Sequence, residues 1–441
     1  MIIKFILFNK KMKNFLLVLL IIGAFFNSIN GKSNEYEELL EWAKGYSVFI
    51  SDKIAINYTS PDAKNFYVKE EIDRDETIMI IPKEIVLNLD TAFEYLGSKT
   101  KKLYEKYKTQ KFEFVNDFLK YRIQQSFLAY IMYSANKYKS AKNKFYQHFK
   151  YFFNTFETNM DSFPLMYSSE QFSLLTSSLF GNEIYQIKTL IEEEYDILDK
   201  KVLTKSLDYD EYFRYRQFTL SKGNNITNLC SLIPFVDMLN IHPTKYNLKL
   251  EFNLSDFGVK VISTKKIKPR RKLMVQVNTM QNSNLAIFYG KTFEELSSTV
   301  TNFLIPYTSP LYLQERNIDQ SLALPDKIDL MHEKFYEEAM PKYMSFSKKI
   351  KEDGSPLSAL NIFMGNLKAL RKKYDEVTTS KLHKTFFTLK DVDNVKRILN
   401  TEMKVYDEKM KVIDVLIDYT KNNKTKNNDE DKEDKEENFD L

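Results

Sequence analysis

The hydrophobic pattern changes its period several times along the chain. Residues 35–46 place Leu39, Leu40, Trp42 and Ala43 on one side of a short amphipathic helix. From Ser51 to Leu89 the spacing is that of strands: KIAINY, NFYVKEEI and ETIMIIP, separated by turns at SPDAKN and DRDE. Thr91 to Leu203 reads as mostly helical, with long apolar repeats such as FVNDFLKYRIQQSFLAYIMY and an interruption at DSFPLMYSS. Strands return in NLKLEFN, GVKVIST and KLMVQVN, the second running into the turn-rich KKIKPRR. From Val300 to Tyr419 the pattern is helical again, and the final KNNKTKNNDEDKEDKEENFDL predicts a disordered charged tail. Strands, a helical insertion, more strands and a helical block make an α+β chain. The order fits neither a βαβ repeat nor a helical solenoid.

Composition narrows the chemistry. Of 441 residues 43% are hydrophobic and 28% charged, a balance that builds a core. The net charge of +5 comes from bases interspersed with acids, which argues against nucleic acid as a partner. Cys230 is the only cysteine, so no intrachain disulfide forms. With one Cys and four scattered His residues, a Cys/His zinc cluster is excluded and a hydrolytic triad has few members to draw on; no metal site is expected. No GxGxxG, Walker-type loop, GxSxG or HExxH occurs. At the N-terminus Lys10, Lys11 and Lys13 precede the apolar run Phe15 to Phe26, with a cleavage point near Gly31. This predicts a secretory signal over 1–31 and no stable membrane span after its removal, with an uncleaved anchor as the alternative. The destination is then the ER lumen or the exterior, or a secondary plastid.

Chemistry is concentrated in two segments. The first is PFVDMLN, Pro234 to Asn240, followed by Ile241 and His242; the second is MQNSNLAIFYGK, Met280 to Lys291. Together they resemble the SET-domain protein methyltransferases, in the branch typified by the Rubisco large-subunit lysine methyltransferase. That branch carries Pro-x-x-Asp-Met-x-Asn-His and, later, Ser-Asn, an apolar helical stretch and Tyr-Gly-Phe. Asn282 stands seven positions before Tyr289, the family's usual spacing. LLEWAKGYSVF resembles the family's first helix, NFYVKEEIDRDETIMIIPKEIVLNLDTA its first strand pair, and FPLMYSSEQFSLL a loop of its helical insertion.

The resemblance implies a SET-domain β-sheet core with a pseudoknot, a helical insertion and an all-helical C-terminal domain. With the signal at 1–31 and the charged tail at 420–441 read from the residues themselves, the limits it implies are 34–92 and 216–299 for the two halves of the core, 93–215 for the insertion and 300–419 for a helical substrate-binding domain. It implies S-adenosylmethionine as cofactor, a lysine or histidine of a protein substrate as acceptor, docking of that substrate on the C-terminal helices, and a monomer. Tyr289 corresponds to the catalytic tyrosine, whose hydroxyl orients the amine; Asn240 and Ile241 correspond to cofactor contacts, and Asp237 to a brace of the turn. Several positions depart from the family. Its Glu-Gly-x-Gly donor loop aligns with Asp62-Ala63-Lys64-Asn65, without either glycine, and its cofactor-contacting Arg aligns with Lys222. Asp62, Lys64 and Lys222 are thus the remaining candidate cofactor residues. The lost glycines and the secretory signal leave a second reading open: a catalytically inactive SET-fold protein-binding module.

Overall fold

In the computed structural model the described residues are 38–436, apart from 61–62, 113–118, 141, 157–159, 177, 204–205, 227–228, 254–257, 278–280, 297–303, 307–320, 324–354 and 387. The candidate Asp62 and the predicted signal segment lie outside them. The chain divides into two compact units, 1–160 with 189–279, and 161–188 with 280–441.

The first unit is organised by β1 (Phe49–Ile50), a hairpin of β2 (Ile54–Ser60) and β3 (Ala63–Val68), and β4 (Thr77–Ile81). The later strands are β5 (Asn224–Ile226), β6 (Leu229–Ser231), β7 (Asn240–His242), β8 (Leu248–Asn253), β9 (Gly258–Ser263) and β10 (Met274–Gln276). Six of them form one sheet in the order β1-β4-β9-β8-β10-β7. Strands β4, β9 and β8 are antiparallel neighbours, and Ile78, Met79, Ile81, Val259 and Val261 are fully buried at its centre. Gly258, at φ +89°, opens β9 where an added Cβ would lie 2.2 Å from the Ile81 carbonyl oxygen, so only glycine fits. Strand β10 runs parallel to both β7 and β8, which leaves β7 as an edge strand.

The helices of this unit pack around α3 (Leu119–Lys137) and α8 (Tyr209–Lys222). Phe127, Leu128 and Met132 of α3 and Tyr212, Tyr215 and Phe218 of α8 are buried. Preceding them are α1 (38–45) and α2 (Leu89–Lys108), the latter begun by a capping box between Asn88 and Thr91. Short helices α4 (Lys144–His148) and α5 (Lys150–Asn154) follow α3. Arg216 of α8 donates from Nε to Glu194 Oε2 at 2.7 Å, and Arg122 of α3 lies 2.8 Å from Glu194 Oε1. Glu194, fully buried on α7 (Leu179–Ile197), is thereby neutralised by two guanidinium groups, as burial of a carboxylate requires.

The second unit contains α6 (Ser169–Ser173), the start of α7, α9 (Asn282–Tyr289), α10 (Pro356–Asp375), α11 (Thr379–Thr385) and α12 (Leu389–Glu436). Leu360, Phe363 and Leu367 of α10 are buried, as are Val395, Ile398, Leu399 and Ile413 of α12, at the 3- and 4-residue spacing of an amphipathic helix. A short antiparallel ladder of β11 (Leu304–Pro306) and β12 (Ser321–Ala323) adds strands to a segment whose pattern predicts helix alone. The charged stretch after 420, expected to be disordered, instead continues α12 as far as Glu436. Once a helix is nucleated, each further residue adds a hydrogen bond without a new nucleation cost, so a Lys- and Glu-rich sequence extends it without a core. Among the described residues no helix is long and apolar enough to cross a membrane.

Candidate functional site

The segment PFVDMLN forms a turn that its sequence alone makes costly. Phe235 is buried and has φ +67°, in the left-handed region where a bulky side chain is strained. Val236–Met238 then completes a single 3-10 turn, and Leu239 returns to extended backbone. Strain of this kind, on the order of 1–3 kcal/mol, persists only where the surroundings over-determine the backbone. Here the determinant is Tyr151 of α5, which is fully buried. Its hydroxyl accepts the Phe235 N–H at 2.8 Å and donates to Asp237 Oδ1 at 2.5 Å. The ring of Tyr151 stacks on Trp42, with centroids 5.7 Å apart.

The other carboxylate oxygen of Asp237 faces Lys64 of β3. Lys64 Nζ lies 3.0 Å from Asp237 Oδ2, with the two side chains 4% and 2% exposed. The same ammonium donates to the Thr155 carbonyl at 2.6 Å, and Lys222 Nζ donates to the Asp237 carbonyl at 3.4 Å. Two of the candidate cofactor residues, Lys64 and Lys222, therefore converge on Asp237, which the sequence marks as a structural brace. The brace has both roles the geometry allows: its carboxylate balances a buried cation, and its main chain receives a second one.

Past the turn, Asn240 and Ile241 occupy β7, both half-buried. Asn240 is tied to the neighbouring chain through its own N–H and Nδ2, which reach the Leu273 carbonyl at 3.1 and 3.4 Å. Ile241 pairs with Val275 in the parallel ladder of β7 and β10. His242 acts locally. Its Nδ1 accepts the backbone N–H groups of Thr244 and Lys245 at 3.2 and 2.9 Å, capping the turn that follows.

Tyr289 belongs to the second unit, as the half-buried last residue of α9. Gly290 ends the helix at φ +61°, the left-handed C-cap that glycine adopts without strain, and its N–H reaches the Ala286 carbonyl at 2.9 Å. Asn282 staples the far side of this turn to the start of α9: its Nδ2 donates to the Phe293 carbonyl at 2.9 Å and its Oδ1 accepts the Phe293 N–H at 2.8 Å. From α12, Asn394 Nδ2 donates to the Gly290 carbonyl at 3.3 Å while its Oδ1 accepts the Thr292 hydroxyl at 2.8 Å. Arg397 adds a bond to Thr292 Oγ1 at 2.9 Å. The turn after Tyr289 is thus held by α9 itself and by α12. Sequence reasoning missed Tyr151, Asn394 and Arg397. Tyr151 sits in the run KYFFNTF, where nothing distinguishes it from neighbouring aromatics, and Asn394 and Arg397 lie in the first turns of a long helix, outside either motif.

No family model matches the sequence, and no curated protein matches it either. Solved structures do match in fold. The SET domain of LSMT bound to lysine and AdoHcy superposes with a TM-score of 0.53 at 13% identity, over 87% of this chain and 93% of that one. Rubisco LSMT bound to sinefungin and monomethyllysine gives 0.53 at 13% identity, over 86% and 91% of the two chains. Rubisco LSMT bound to AdoMet gives 0.53 at 13% identity, over 87% and 92%. The fold is therefore that of the SET-domain methyltransferases, an α+β chain with a β-sheet core and abundant helix.

Proposed function

We propose that the protein is an S-adenosylmethionine-dependent protein methyltransferase that modifies a lysine side chain, with histidine as the alternative acceptor. The observation that carries this reading is the strained turn at Phe235, which leads into Asn240 and Ile241 and gathers Lys64 and Lys222 at Asp237. Strain held in place by a dedicated hydrogen-bond network is characteristic of ligand sites. The shared fold with proteins bound to AdoMet, AdoHcy and lysine supports it.

The residues present fit such a cofactor in chemical kind. Its methionine end carries a carboxylate and an ammonium, and its other end a flat adenine. The ammonium of Lys222 suits the carboxylate, the carboxamide of Asn240 suits either polar group, and Ile241 on an edge strand offers an apolar side chain to the adenine. Lys64, on β3, and Asp62 stand in the stretch aligned with the family's donor loop, which would border the methionine end. When bound, the cofactor supplies a methyl group made electrophilic by a sulfonium. What the chain itself must do is present a neutral amine in line with it. A free lysine has a pKa of about 10.4, and apolar surroundings favour its neutral form. Tyr289 would orient that amine through its hydroxyl, since positioning supplies much of the acceleration in a transfer of this type. The helices after 300 would dock the protein that carries the acceptor, with one copy of this chain sufficing, in the secretory pathway.

Isothermal titration calorimetry with S-adenosylmethionine tests the reading. Micromolar binding is expected, weakened by Asn240→Ala and little changed by Tyr289→Phe, while Tyr289→Phe abolishes methyl transfer to protein in a lysate supplied with labelled donor. No heat from a folded protein overturns it. A catalytically inactive SET-fold binding module then becomes the better account. One observation already favours that second reading: the Lys64 ammonium is buried between Asp237 and the Thr155 carbonyl, in a stretch without the family's glycines.

A further inference from the structure

The connection between β9 and β10 carries Lys265, Lys266, Lys268, Arg270, Arg271 and Lys272 within eight positions, and all six are exposed. Among the described residues Lys266 alone of the six is paired, to Glu71 at 2.6 Å; the other five make no ion pair or side-chain hydrogen bond with another described residue. Such a display is normally a solvated loop, free to move. This one is built. Ile267 and Leu273 are buried at its two ends, and Ile267 exchanges both backbone hydrogen bonds with Ile72, at 2.9 and 3.0 Å. Farther along, Arg270 N–H donates to the Val68 carbonyl at 2.8 Å, Val68 N–H reaches the Arg271 carbonyl at 3.4 Å, and Lys272 bridges Tyr67. The backbone of Arg270 has φ +64°. Glycine occupies that conformation without strain, and the asparagine or aspartate of ordinary turns with little. An arginine there sacrifices stability to place a cation at the tip of a fixed knuckle, whose Lys272 is bridged to the exposed Tyr67.

We propose that this knuckle is a docking site for an acidic segment of a partner protein. Charge complementarity requires a polyanion. The neighbourhood selects a narrow one. Glu70, Glu71, Asp73 and Asp75 are exposed on the segment that Ile72 bonds to the knuckle, among exposed Lys69 and Arg74. Glu71 is paired with Lys266 and Asp75 with Arg74, which leaves Glu70 and Asp73 without an ion pair among the described residues at the base of the cationic tip. A broad anionic surface, such as a bilayer or a nucleic-acid duplex, would also face Glu70 and Asp73 and be opposed there. A single extended acidic polypeptide can cross the tip alone, its carboxylates taken by the planar guanidinium forks of Arg270 and Arg271 and by the ammonium groups of Lys268 and Lys272. A fixed backbone reduces the ordering entropy lost on binding.

Fluorescence anisotropy on the full chain tests this, with a fluorescein-labelled dodecapeptide of Asp, Glu and Ser and its Asn/Gln counterpart. Saturable binding of the acidic peptide is expected, lost as salt rises, and weakened roughly tenfold or more in Lys268→Ala/Arg271→Ala/Lys272→Ala. Arg270→Gly, which relieves the backbone, should keep the melting temperature or raise it while weakening binding several-fold. Failure of the wild type to bind the acidic peptide, or equal binding by the triple variant with an unchanged circular dichroism spectrum, overturns the site. Tighter binding of single-stranded oligonucleotide or of phosphatidylserine vesicles than of peptide, also lost in the triple variant, overturns the choice of a polypeptide as occupant.

Discussion

Lys64 and Asp237 form an ion pair of 3.0 Å in which both side chains are almost completely buried. The pair ties the β2–β3 hairpin to the turn that leads into the edge strand β7. Removing one partner leaves an uncompensated charge in a low-dielectric setting, which costs about 3–5 kcal/mol. Lys64→Met is therefore expected to lower the unfolding free energy by that amount in denaturant titration. The double variant Lys64→Met/Asp237→Asn should recover much of the loss, because it removes both charges and keeps the acceptor for Tyr151.

The hydroxyl of Tyr151 is both donor and acceptor, to Asp237 Oδ1 and from the Phe235 N–H. Tyr151→Phe keeps the ring and its stacking on Trp42 but orphans a buried N–H at a strained residue. The expected cost is about 1–3 kcal/mol. If the turn positions Asn240, cofactor affinity should fall along with stability. An unchanged denaturation midpoint in this variant would show that Phe235 does not depend on the bond.

In the second unit, Glu402 of α12 is buried. Its Oε1 accepts the Phe180 N–H at 2.9 Å, and its Oε2 the Tyr374 hydroxyl at 2.7 Å. Burial, with a smaller push from the nearby Glu183, brings its carboxyl up to about 8 against the opposing effect of these hydrogen bonds. Glu183 is itself raised, chiefly by burial. A carboxyl raised on folding binds its proton more tightly in the native state, so its contribution to stability is complete below about 4.5 and is lost as pH rises through about 8. Stability should decline as pH rises from about 4.5 to about 8 and level off beyond it, and Glu402→Gln should flatten that slope. Melting curves collected across this interval decide it; identical slopes in the two proteins would place the proton elsewhere.

His148 gives the opposite slope. Its Nε2 donates to the Glu84 carbonyl at 2.7 Å, and its Nδ1 accepts the hydroxyls of Tyr46 and Tyr95, each at 2.9 Å. This arrangement needs the neutral ring, and burial lowers the pKa below its usual value, outweighing the opposing effect of the Glu84 carbonyl. A histidine depressed on folding stabilises above its unfolded pKa of about 6.5 and loses that contribution as pH falls through the folded value. His148→Phe should therefore remove part of the acid-side decline in melting temperature, seen by the same scans at low pH.

Much of this was legible in the residues, element by element. Strands β4, β8 and β9 follow directly from TIMII, LKLEFN and GVKVIS, because a sheet buries alternate or continuous β-branched residues whatever surrounds it. Helix α9 was expected in NSNLAIFYG through its resemblance to the family's second motif, whereas its glycine stop emerged only with the backbone. The ordered motifs pointed to the SET fold before any geometry was known. The helical reading of the acidic tail was missed, since composition alone carries no record of a helix already nucleated upstream.

What the sequence determined by itself was local: period, turn chemistry, caps and the identity of the motif residues, all set by interactions between near neighbours. What only the tertiary structure decided was which charge meets which. Lys64 and Lys222 carried the same label in the sequence, but packing turned both toward Asp237 and buried one of them. Likewise nothing local requires Tyr151 to hold Phe235, or an arginine to stand at positive φ. Those choices depend on groups brought together from distant parts of the chain, where a buried charge or N–H must find a partner that no spacing rule specifies.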